Sequence, residues 1–126
     1  MTRKEQLNKL FIEYNLSEED TFKHSHYHII TRSGIDKIQA DSGILIEYTL
    51  KHYNPETKTC VIKAIGQLKD VVIETFGEAA PDNNRNAYPV AIAEKRAMSR
   101  IVLKLSGLYS LGVFGEDEFK EDLKKK

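Results

Sequence analysis

The chain has 126 residues, and its 19 Lys plus Arg balance 19 Asp plus Glu to a formal net charge of zero at pH 7. Hydrophobic residues make up 40 % and charged residues 30 %, which suits one folded core and argues against a disordered chain. A balanced charge also excludes a uniformly basic surface, so any polyanionic partner must be held by a local patch.

In chain order, residues 4–14 carry Leu7, Leu10, Phe11 and Tyr14 on one helical face. Ser17 followed by Glu18, Glu19 and Asp20 reads as a helix N-cap or turn. Residues 27–31 form a short β-like run, Ser33-Gly34 breaks it, and 35–40 suit one or two helical turns. Over 44–53 the alternation is clear: Ile44, Ile46, Tyr48 and Leu50 against Glu47, Thr49 and Lys51, the pattern of a half-buried strand. Asn54-Pro55-Glu56-Thr57 has turn chemistry, so 59–67 folds back as a hairpin and 71–76 continues a meander. Residues 77–87 lack apolar anchors and read as a long loop. The strongest helix spans 88–106, with Pro89 in its first turn and Gly107 as its C-cap.

The expected fold class is therefore α+β: an antiparallel meander of three to four strands, packed by an N-terminal helix and one long, basic C-terminal helix. Residues 1–115 are expected to form a single nucleic-acid-binding domain, and 116–126 a charged, flexible tail. The only cysteine, Cys60, lies in an apolar run and reads as a buried, inert thiol. No signal-like segment follows Met1 and no apolar run reaches membrane-spanning length, so the chain reads as cytoplasmic.

The long helix carries Lys95, Arg96, Arg100 and Lys104, three of them at i+4 spacing, which would make a basic stripe beside the apolar row of Ala93, Ala97, Ile101 and Leu105. Arg85 in the preceding loop would extend the stripe. The opposing charge sits at Glu116, Asp117, Glu118, Glu121 and Asp122, so phosphates would favour the helix. Tyr27, Tyr48, Tyr53, Tyr88 and Tyr109 are either base-stacking or core residues. His24, His26 and His28 would share one side of a strand, but with no cysteine pair beside them they read as a polar strand end, with no metal and no cofactor. GxSxG, Walker A, GxGxxG and HExxH motifs are all missing, and the carboxylates cluster in turns and tail, so the chain is expected to bind without catalysing.

The stretch Ala93-Glu94-Lys95-Arg96-Ala97, continuing through Arg100 and Lys104 to Gly107 and then Leu111-Gly112, resembles the helix of Rad52/ERF-type phage single-strand annealing proteins. Val72 to Gly77 resembles the last strand of that superfamily, and together the two cover roughly half the chain. Arg100 falls where the family has a DNA-contacting basic residue in mid-helix, and Lys104 matches a later one. The next family position is basic but is Ile101 here. The resemblance implies single-stranded DNA as partner, a homo-oligomeric ring or filament with aligned basic grooves, and no cofactor. Arg85, Lys95, Arg96, Arg100 and Lys104 are the expected DNA-binding residues. Two further readings remain open: a double-stranded-RNA-binding-like module, and a protein-docking domain without nucleic acid.

Overall fold

The computed structural model of the protein describes residues 2–24, 27–84 and 87–118, with His24 described by its backbone alone. Its helices are α1 (Arg3–Glu13), α2 (Arg32–Ser42) and α3 (Pro89–Ser106). Its strands are β1 (Thr21–His24), β2 (Tyr27–Ile30), β3 (Leu45–Asn54), β4 (Thr59–Leu68), β5 (Val71–Ala79) and β6 (Val113–Gly115). The fold is α+β, with the antiparallel meander β3-β4-β5 as one sheet and β1-β2-β6 as a second. In the second sheet β1 and β2 form an antiparallel hairpin, and β6 joins β2 in parallel.

Local chemistry sets the helix ends. The Thr2 hydroxyl accepts from the Glu5 amide at the start of α1, and the Thr31 hydroxyl accepts from the Gly34 amide at the start of α2. Pro89 opens α3, where its missing N–H costs no hydrogen bond, and Gly107 closes it in the left-handed region at φ 86°. Asn54 Oδ1 accepts from the amides of Glu56 and Thr57 to turn β3 into β4.

α3 is the centre of the molecule. Its Ala93–Ala97–Ile101 row lies on β4 and β5, where Gly66 and Gly77 leave the space it needs. A Cβ on Gly77 would run into the Ala93 carbonyl and the Ala97 amide, and one on Gly66 into Ile101. Its opposite side meets β6, where Gly115 faces Ser99. Ten residues of α3 are buried, among them Arg96. The core joins Ile62, Ala64 and Cys60 of β4 to Ile35 and Ile38 of α2, Ile30 of β2 and Val113 of β6. Cys60 is indeed buried, and burial pushes its thiol pKa up, so it is a poor nucleophile. α1 lies beside the small sheet rather than on the meander: Phe11 meets the His28 ring edge-on at 6.3 Å, and Arg3 Nε donates to the Leu111 carbonyl at 2.7 Å.

Three expectations need correction. Residues 77–79, read as loop, complete β5, because a glycine there answers the close approach of α3 rather than a turn. Thr21–His24 and Val113–Gly115 form strands that local pattern does not announce. Glu116–Glu118, expected in a flexible tail, form a 3-10 turn fastened to the body: Glu116 Oε1 accepts from the Arg32 amide at 2.7 Å, at the start of α2.

Candidate nucleic-acid interface

The expected basic stripe on α3 is divided by the chain segment beyond the helix. Gly107 and Gly112, both left-handed, turn the chain back so that β6 and the 116–118 turn cover one flank of α3. Arg96 therefore lies inside, at 3 % exposure, and not on a solvated face. Its guanidinium donates to four acceptors: the Asp117 carbonyl at 2.6 Å, the Glu78 carbonyl at 2.8 Å, Asn83 Oδ1 at 2.8 Å and the Asn83 carbonyl at 2.7 Å. Burial lowers its pKa without threatening its charge. Arg96 is thus the clasp that ties β5, the 80–84 segment and the C-terminal turn to α3.

Arg100 is half a step outward. Its Nε and Nη2 hold the two Glu118 oxygens at 2.6 Å each, and Nη1 and Nη2 hold the Glu78 carboxylate at 2.9 and 3.0 Å. Nη1 also donates to the Phe76 carbonyl at 2.6 Å. Hydrogen bonds to Glu118, then to Glu78, raise its pKa further above the ordinary arginine value, and Arg100 in turn holds Glu78 below the usual carboxylate range. Two carboxylates on one guanidinium leave this cluster with no positive surplus.

Lys104 is exposed. Its Nζ lies 3.1 Å from Thr75 Oγ1 and 5.3 Å above the centre of the Tyr109 ring, and no described carboxylate pairs with it. Here the two sheets part to leave an open cleft of about 390 Å³, lined by Tyr27, Thr75, Arg100, Lys104, Tyr109, Phe114 and Glu118. Phe114 stands between two tyrosines, edge-on to Tyr27 at 5.4 Å and to Tyr109 at 5.8 Å. β2 supplies Tyr27, β6 supplies Phe114, β5 supplies Thr75 and α3 supplies both cations. Aromatic rings around an unmatched ammonium suit a ligand with a π-face and a negative charge.

Of the expected DNA-binding residues, the structure brings Arg100 and Lys104 into the cleft, with Arg100 already engaged. Lys95 is half-buried outside it, Arg96 is interior, and Arg85 lies outside the described residues. Among the tyrosines, Tyr27 and Tyr109 line the cleft, whereas Tyr53 and Tyr88 line a separate hollow at the start of α3. Thr75 and Phe114 escape sequence reasoning. The one signal for Phe114 is its place between the paired glycines Gly112 and Gly115, which mark a tight return of the chain.

Among the described residues no group of His, Cys, Asp and Glu could hold a metal ion; His26 and the His24 side chain lie outside them. No described helix is long and apolar enough to cross a membrane. No protein-family model matches the chain, and no curated protein matches its sequence.

Proposed function

We propose that this protein binds single-stranded DNA and promotes strand annealing in phage-type homologous recombination, making and breaking no covalent bond. The cleft between the two sheets is the observation that carries this reading: Tyr27, Tyr109 and Phe114 beside the unmatched Lys104. Base-on-ring stacking contributes about 1–3 kcal/mol per base and tolerates any sequence. The likeness of α3 and its glycine close to Rad52/ERF-type annealing proteins points the same way.

Electrostatics refine the reading. With Arg96 buried and Arg100 matched by Glu78 and Glu118, the phosphate contacts per chain are few. Stacking then dominates affinity, and the salt dependence is shallow, with a log–log slope of about −0.7 per contacted phosphate. A single weak cleft gains from repetition along one strand, which favours an assembly of several copies.

A mobility shift with single-stranded DNA, double-stranded DNA and double-stranded RNA at two salt concentrations tests the reading. Preferential retention of the single strand supports it. Preference for double-stranded RNA would favour the RNA-binding module instead, and no shift with any of the three would leave a protein-docking domain.

A further inference from the structure

The meander has two edges, and the fold treats them differently. β5 has its outer edge occupied. α3 packs on one face of the sheet while the Glu78 side chain leaves from the other, so Arg100, which bonds both the Phe76 carbonyl and the Glu78 carboxylate, passes along the edge between them. Arg96 covers the next outward carbonyl, that of Glu78. Guanidinium groups on these carbonyls block the addition of a further strand there.

β3 has no such cover. It is ten residues long, and eight of them are exposed. α3 reaches β3 only with its first turns, beside Tyr53, and Tyr48, Leu50 and Tyr53 stay 40 %, 57 % and 47 % exposed on the helix-facing side. No described group bonds to its outer backbone edge. A long edge with exposed apolar side chains along one face and no group bonded to its backbone is open to pairing with another strand.

The residues of this edge complement themselves. Over residues 47–51, before the register shift between Leu50 and His52, a two-fold axis perpendicular to the sheet pairs residues whose numbers share one sum and keeps each side chain on its own face. Centred on Thr49, it sets Glu47 against Lys51 on the far face, twice by symmetry, and Tyr48 against Leu50 on the helix face. Moving the centre to Tyr48 sets Glu47 against Thr49, and moving it to Leu50 sets Lys51 against Thr49, so only the Thr49 register opposes unlike charges. Lys51 is also the extra residue of a bulge, with no partner on β4.

We propose that β3 binds a second copy of this chain, antiparallel about a two-fold axis at Thr49, to give one continuous sheet ordered β5-β4-β3-β3-β4-β5. Both α3 helices then lie on the same side of that sheet, and the seam between them buries Tyr48 and Leu50 of each copy. The pairing is closed, because the outer edges of the joined sheet are the two arginine-covered β5 strands. It deepens the assembly part of the proposed function but needs no nucleic acid, so it is measured without any.

Sedimentation at tens of micromolar protein is expected to show a dimer. Glu47→Lys or Lys51→Glu alone should weaken it roughly tenfold, and the double swap should restore it. On mild oxidation Thr49→Cys should form a symmetric disulfide, since residues facing across an antiparallel pair bring their Cα atoms to about 4.5–5.5 Å. Val72→Cys on β5 should not. A wild-type monomer overturns the proposal. So does a dimer in which the double swap is no stronger than the single changes, or one that links through Val72→Cys and not Thr49→Cys. A dimer that ignores DNA would leave this interface standing and remove the nucleic-acid reading.

Discussion

Arg100 grips both oxygens of Glu118 at 2.6 Å, so a carboxylate from the C-terminal turn sits where a phosphate entering the cleft would meet its guanidinium. Both side chains are largely buried, at 18 % and 15 % exposure, which sharpens their attraction relative to a surface pair. A strand entering the cleft competes with that carboxylate. Glu118→Gln, which keeps the shape and removes the charge, should therefore raise affinity for a thymidine oligonucleotide roughly fivefold at low salt. Fluorescence anisotropy reads this directly; a fall in affinity would mean that Glu118 serves to position Arg100.

Arg96 should matter to the fold and not to the ligand. Arg96→Ala strips donors from the carbonyls of Glu78, Asn83 and Asp117 in a buried site, a loss of about 3 kcal/mol or more. Urea unfolding should show a lower midpoint, whereas Lys104→Ala, on an exposed side chain, should stay within about 0.5 kcal/mol of the native protein. Equal stability of the two variants would contradict the interior placement of Arg96.

Acid should loosen the junction between β1, β2 and α2. Burial alone would raise the Asp20 pKa, but Lys37 at 2.6 Å, the Ser17 amide and hydroxyl and the Ser33 hydroxyl outweigh it and hold the carboxyl at about 2. A folded pKa below the unfolded value of about 3.9 adds stability above pH 4 and loses it as pH falls toward 2, at most about 2.6 kcal/mol. Asp20→Asn should flatten stability between pH 5 and 2 in denaturant titrations followed by circular dichroism; an unchanged slope would show that Asp20 carries none of it.

The meander and the long helix were legible because each announces itself locally. Ile46, Tyr48 and Leu50 alternate with the polar Glu47, Thr49 and Lys51, Asn54-Pro55 turns the chain, and Pro89 and Gly107 bracket α3. The small sheet was hidden. β6 is three residues long and pairs with β2 from more than eighty residues away, a contact that no local pattern encodes. That contact also decides the site. Without β6 and the turn after it, Arg96, Arg100 and Lys104 at i+4 spacing read as one solvated stripe; with them, one is interior, one is ion-paired and one is left for a ligand. The acidic run at 116–118 after a basic helix was the visible half of that arrangement, and Gly77 opposite Ala93 and Ala97 was the visible half of the close packing.

Photocrosslinking tests the central claim most directly: a bromodeoxyuridine-substituted single-stranded oligonucleotide irradiated with the protein, and the adducts mapped by mass spectrometry. Stacking in the cleft places adducts on Tyr27, Tyr109 or Phe114, and Lys104→Ala weakens their yield. Adducts confined to the exposed face of the meander, or none where binding is saturated, would contradict the account.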